Sequence, residues 1–375
     1  MPVSDGRKLP NSGKGTTLLG RRYYKRVAPL VFAVFSAVTG ATLSLADQSH
    51  AADAPKLVVT IKPLHGLVAA VTKGVTEPVL LLDGPQSPHS FALKPSQAAQ
   101  LNSADFIFFA DETLELPIVR VGQSLPKTVS LVPLIEAPGL EILAMRQGAA
   151  FDAHDHGGHG HGRHGHDDHK DEAAHGHDKK DDHGHKGHDH GHDHSASTKH
   201  GADRDPHFWL DPQSARWVVA YVADKLSERF PEHRDVFEKN AAAVDGDLVR
   251  LEKALGEVLS DVKARPFLVF HDAFQYFENR FGLQGVGAIS VNPEVLPGAK
   301  RLSELRARVA KSGVVCVFAE PQFQSRVIDT VIEGSSARKA VIDPLGANVP
   351  PGPEHYSGLM TQIADVFKQC LGKSS

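Results

Sequence analysis

Histidine is the chemically active residue this chain uses most heavily: sixteen of its 23 histidines lie between His154 and His200. They come in short units, His159 with His161, His164 with His166, and His188, His190, His192 and His194, separated by Gly, Asp and Lys. Neutral imidazole ligates zinc, copper and nickel, so this stretch is expected to capture metal. It lacks the apolar residues that offset the entropy of ordering a backbone, so residues 152–204 are expected to be a His/Asp-rich disordered loop rather than a domain. A solvated spacer is the competing reading. Immediately afterwards the composition becomes that of a folded protein, Asp205-Pro206-His207-Phe208-Trp209-Leu210-Asp211-Pro212.

Three further histidines stand where a fold could aim them at one point. His271 directly follows the apolar run Phe267 to Phe270, His89 lies in a Gly- and Pro-containing loop after another apolar run, and His207 precedes a helical pattern. Asp343 likewise follows the short run Ala340 to Ile342. In open parallel sheets ligands bind off the carboxyl ends of the strands, so these side chains are expected to converge on a cleft. Three imidazoles with at most one carboxylate make a nitrogen-rich tetrahedral site that suits zinc, whereas manganese and magnesium favour more oxygen. Taken singly, each histidine is as well explained by a hydrogen-bonded core or helix-end position. That plainer reading is kept for His50, His65, His233 and His355, although His65 also follows a strand pattern.

The elements that must hold these groups alternate between short apolar runs and longer helical patterns. Leu57 to Ile61, Pro78 to Leu82 and Phe106 to Phe109 read as strands, with helices over Leu64 to Lys73 and from Pro95 to about Ser103. Strands separated by helices imply an α/β fold, with parallel sheet flanked by helices on both faces. This first lobe spans residues 52–230 and carries the histidine-rich interruption. Its last helix starts after Asp211, a capping residue followed by Pro212 at the first helical position, with Trp217, Val218, Tyr221, Val222 and Leu226 on one side. Residues 231–264 carry apolar side chains at three- and four-residue steps and read as one long helix reaching across two lobes; two helices broken near Gly246 are the alternative. A second lobe, residues 265–375, repeats the rhythm of the first.

The N-terminus suggests where the chain works. Arg21, Arg22, Lys25 and Arg26 precede a mostly apolar run from Val27 to Ala46 and then Ser49-His50-Ala51, the pattern of a cleavable export signal with a long leader over residues 1–51. Cleavage after Ala46 and a retained anchor are the alternatives. In an oxidising compartment the two cysteines, Cys316 and Cys370, favour one bridge between a strand and the last helix; two buried free thiols remain the alternative. The net charge of -4 and the lack of a basic stripe argue against nucleic acid as a partner.

Taken together, Ile61-Lys62-Pro63-Leu64-His65, Pro88 to Ser96, Asp205 to Pro212, Phe270 to Phe274, Ala319-Glu320-Pro321-Gln322-Phe323 and Asp343-Pro344-Leu345-Gly346 resemble the ABC-type zinc-binding proteins of the bacterial periplasm, the ZnuA group. The resemblance runs from about Lys56 to the C-terminus. It implies two Rossmann-like lobes joined by a long rigid helix, one zinc in the cleft, and delivery to an inner-membrane permease driven by a partner ATPase. It carries the imidazole ligands onto His89, His207 and His271, with Asp343 or water as the fourth ligand. Some zinc members have Glu before the first histidine, where this chain has Pro88. Manganese-binding relatives tend to carry a carboxylate at the His271 position, so the imidazole there favours zinc. The histidine-rich loop and the Cys316–Cys370 pair also match features of zinc members. The expectation is therefore a monomeric periplasmic zinc carrier and not an enzyme. A secreted zinc hydrolase, with Asp343 or Glu320 as its base, is the main alternative, although no HExxH helix is present. A manganese, nickel or copper relative, or a metal store, is the other.

Overall fold

The computed structural model describes residues 54–146, 204–290, 293–294, 297–323 and 326–373. The expected export signal and nearly all of the expected histidine-rich loop lie outside these residues. Among the described residues no helix is long and apolar enough to cross a membrane.

The first sheet contains β1 (Leu57–Val59), β2 (Val79–Leu80), β3 (Phe106–Phe109) and β4 (Ser130–Pro133), all parallel, in the order β2-β1-β3-β4. The second contains β5 (Phe267–His271), β6 (Gly285–Ser290), β7 (Cys316–Ala319) and β8 (Arg338–Val341), again parallel, in the order β6-β5-β7-β8. The two orders are the same, so each lobe has its first strand inside and its crossover turning at the same place. Both central strands of each sheet are fully buried, as helices on both faces of a parallel sheet require.

The helices of the first lobe are α1 (Lys62–Val71), α2 (Pro95–Asn102), α3 (Leu116–Gly122) and α4 (Pro212–Arg229). Asp211 starts α4 by accepting the backbone N–H groups of Gln213 and Ser214 at 3.0 and 3.2 Å, while Pro212 takes the first helical position. Trp217 does not join the buried side of α4. It is 41% exposed, and its ring lies against Gly139, where a Cβ would meet it at 2.9 Å.

After a 3-10 turn at Pro231–His233, α5 runs unbroken from Arg234 to Leu259, through Gly246, over 26 residues. At 1.5 Å per residue it is about 39 Å long. It packs on α1 and α4 of the first lobe and on α9 (His355–Leu371) of the second, so a single rigid element braces both. The second lobe adds α6 (Gln275–Phe281), α7 (Ala299–Lys311) and α8 (Arg326–Ile332). Cys316 on β7 and Cys370 on α9 form a disulfide across 6.0 Å between their Cα atoms, joining the sheet to the last helix. Phe267, Phe318 and Phe277 gather around Phe367 of α9, with ring centroids 4.7–5.4 Å apart, and make that junction a packed aromatic core.

Candidate metal centre

The segment Asp205 to Pro212 is the rigid piece between the lobes. Phe208, Trp209 and Leu210 form a buried 3-10 turn. Trp209 donates its indole N–H to the Pro344 carbonyl at 3.0 Å, and its own carbonyl accepts the Tyr356 hydroxyl at 2.8 Å. Asp211, besides capping α4, takes a two-point ion pair from Arg280 of α6 at 2.6 and 2.9 Å. The Tyr276 hydroxyl donates to the Asp205 carbonyl at 3.1 Å and accepts the Leu143 N–H at 3.0 Å. Asp205, Trp209 and Asp211, on either side of His207, are thus tied to the second lobe, while Asp211 also caps α4 of the first.

His207 is buried at the start of that turn. Its Nδ1 lies 2.7 Å from Asp205 Oδ1, which also accepts the His207 backbone N–H at 3.0 Å. A carboxylate oxygen only accepts, so Nδ1 carries the proton and Nε2 keeps a free lone pair. His271 is the last residue of β5, buried at the carboxyl end of the second sheet. His89 is half-buried in the loop after β2, and its backbone N–H is held by the Ser87 hydroxyl at 3.2 Å.

These three rings meet. One ligating nitrogen from each of His89, His207 and His271 lies within 4.8 Å of the other two, and among the described residues they are the group of three or more such side chains that could hold a metal. Ring centroids are 4.8 Å apart for His207 and His271, 4.9 Å for His89 and His271, and 5.7 Å for His89 and His207. A tetrahedral ion with bonds of about 2.0–2.1 Å holds its donors roughly 3.4 Å apart, so rotamer adjustments of little more than about 1 Å complete the site. The space between them is ≈ 10 Å³, lined also by Trp209, Glu320, Gln322, Phe323 and Leu345. That is room for an ion or a water and not for an organic substrate. Larger grooves of ≈ 570 and ≈ 750 Å³ lie along α1 and are lined by other residues.

The electrostatics suit a cation ligand set. Burial, reinforced by the neighbouring His271 and His207, pushes the His89 imidazole down to about 2. Burial first, then His207, holds His271 well below the usual histidine range. Both rings are neutral at physiological pH and present lone pairs. His89 Nε2 and His271 Nδ1 are buried with no hydrogen-bond partner, an arrangement that costs free energy until an ion or a proton acceptor arrives.

Asp343, which with water was one of the two expected fourth ligands, lies outside the group of three imidazoles. Its Oδ1 accepts Gln322 Nε2 at 2.8 Å and the Leu345 N–H at 3.0 Å, and its Oδ2 accepts the Ala347 N–H at 2.7 Å, so the carboxylate caps the turn after β8. Glu320 lines the cavity instead. Burial pushes its carboxyl up to about 8, against the pull of His207. In the sequence Asp205 stood only as a member of a motif, and Glu320 as a motif member and a candidate hydrolase base; an acid two residues before a candidate ligand, and another just past a buried strand, were the available signals. His65 places Nε2 2.9 Å from the Pro78 carbonyl, and His355 places its two ring nitrogens 3.1 Å from the Pro350 and Leu345 carbonyls, so both serve the core.

The sequence profile of the family described as the periplasmic component A of the zinc-uptake complex matches residues 57–370. The chain belongs to this family. Its members are solute-binding proteins for zinc transport, not enzymes. A high-affinity zinc uptake system protein ZnuA from Brucella suis biovar 1 is 43% identical over 325 residues, covering 87% of this chain and 94% of the relative. A crystal structure of ZnuA matches with a TM-score of 0.65 at 22% identity, covering 85% of this chain and 100% of that one. A zinc-bound deletion mutant of ZnuA matches with a TM-score of 0.64, also at 22% identity, over 86% and 100%. At that identity the two structures speak for the fold.

Proposed function

We propose that this chain is the periplasmic zinc-binding component of an ABC importer, that His89, His207 and His271 hold one zinc ion between its lobes, and that the loaded chain delivers the ion to a membrane permease driven by an ATPase. The observation that carries this is the meeting of three imidazoles, two buried and one half-buried, from three separate segments around a space of ≈ 10 Å³. Nitrogen donors without a carboxylate in the cluster select zinc over manganese. Water is the fourth ligand in this reading, since the Asp343 oxygens are engaged in the turn. The chain acts as a monomer after removal of the leader over residues 1–51, and residues 154–200 collect zinc at weaker sites before it passes inward.

Zinc stoichiometry and affinity, measured for His89→Ala, His207→Ala and His271→Ala beside the unchanged chain, test the assignment. Each substitution is expected to abolish one tight zinc while leaving the weaker sites. Retention of the tight zinc in any of the three removes that residue from the set.

A further inference from the structure

The second nitrogens of the cleft histidines show a pattern that is complete on one side and one step short on the other. In the first lobe, one carboxylate oxygen of Asp205 accepts both the Nδ1–H and the backbone N–H of His207. In the second, Glu320 stands directly past β7, whose Phe318 is in register with Val269 of β5, so Glu320 lies beside His271 on the adjacent strand. Both side chains are buried at this strand end. Glu320 Oε2 is 3.7 Å from His271 Nδ1, Glu320 Oε1 is buried without a partner, and His271 Nδ1 is buried without a partner as well. A movement of about 1 Å, within one side-chain torsion, turns that approach into a hydrogen bond of ordinary length.

Building on the zinc reading of the trio, we propose that Glu320 is the positioning residue of His271: in the loaded chain it accepts the Nδ1–H, fixes the plane of the ring and directs Nε2 at the ion. Asp205 already does this for His207. A carboxylate behind a ligating imidazole makes the ring a stronger donor, and loss of such a partner costs roughly 10- to 100-fold in metal affinity. Glu320 does not enter the ligand cluster itself.

The test compares the full mature chain with Glu320→Ala and Glu320→Gln. Zinc affinity is measured by chelator competition, the visible spectrum is recorded with one equivalent of cobalt(II), and the thermal midpoint of the metal-free chain is followed. Glu320→Ala is expected to lose roughly 10- to 100-fold in affinity and to shift the cobalt bands. Glu320→Gln, whose amide oxygen still accepts Nδ1–H, is expected to recover most of both. Affinities of both variants within about twofold of the unchanged chain overturn the proposal, and so does an affinity that follows the thermal midpoint while the cobalt bands stay in place. If the bands of the unchanged chain survive His271→Ala, the fault lies one level lower, in the trio itself.

Discussion

The two lobes share a sheet order and differ in what stands at the ends of corresponding strands. Past β3 the first lobe has Asp111, paired with Arg204 at 2.6 Å, and Glu115, which accepts the Ala110 N–H at 2.5 Å. Past β7 the second lobe has Glu320, with His271 rather than an Arg or Lys among its ion-pair partners. One lobe uses its strand-end acids to fasten its own backbone and the segment re-entering at Arg204, which also bridges to Ala144. The other leaves its acid beside a candidate ligand. The same topology thus yields a scaffold half and a half that shapes the chemistry, and the difference lies in which counter-ion the acid finds.

The largest expected effect concerns covalent bracing, which the second lobe has and the first lacks. The Cys316–Cys370 bridge spans 54 residues. On the chain-entropy account, replacing both cysteines by alanine removes about 4 kcal/mol of stability. Urea denaturation of the double variant should register this as a lower midpoint with zinc still bound under native conditions. An unchanged midpoint would mean that the aromatic core around Phe367 suffices alone.

Next comes the first lobe's ion pair. Arg204→Met leaves Asp111 buried without its cation and is expected to cost roughly 3 kcal/mol, whereas Asp111→Asn combined with Arg204→Met should recover part of that. A double-mutant cycle by denaturation measures the coupling. If zinc affinity fell more than stability in Arg204→Met, the two lobes would not be divided as described.

Protonation separates the lobes further. Burial pushes Glu115 up to about 7 and Glu320 up to about 8. A carboxyl raised in the folded state contributes its stability below the unfolded value near 4.5 and loses it as pH rises through the folded value. In the metal-free chain, Glu115→Gln should therefore gain on the unchanged protein between about pH 4.5 and 7, and Glu320→Gln should go on gaining to about pH 8. His89 has the opposite sense. Its folded value is depressed to about 2, so its contribution is present above the unfolded value near 6.5 and lost as pH falls toward 2. Thermal midpoints of the variants against pH give these slopes, and parallel curves would refute the assignment.

The smallest effect is a difference in order. Burial keeps protons off His89 and His271, so cleft zinc should outlast zinc on residues 154–200 as pH falls from 7.5 to 5. Stepwise zinc release followed with a dye reports which class empties first.

Sequence patterns revealed the parts of the fold where burial is continuous. Phe106 to Phe109 is four consecutive buried residues and reads as nothing but a core strand. The strand Ser130–Pro133 escaped notice because three of its four side chains are half-exposed and it ends in proline. Short α3 and α6, seven residues each, offer too few turns for a 3.6-residue period to emerge. The meeting of His89, His207 and His271 was legible because each follows or precedes an element with a clear pattern. The fate of Asp343 was not, since its oxygens are taken by backbone N–H groups of Leu345 and Ala347, in a turn that only three-dimensional coordinates close. Glu320 was invisible as a neighbour of His271 for the related reason that strand register, here Phe318 opposite Val269, is not written in either strand alone.

The most direct test of the account is a crystal structure of the chain with one equivalent of zinc, located by its anomalous scattering. The account predicts a single strong peak with nitrogens of His89, His207 and His271 at about 2.0–2.1 Å. A peak bound elsewhere, or one that misses any of these three rings, contradicts it.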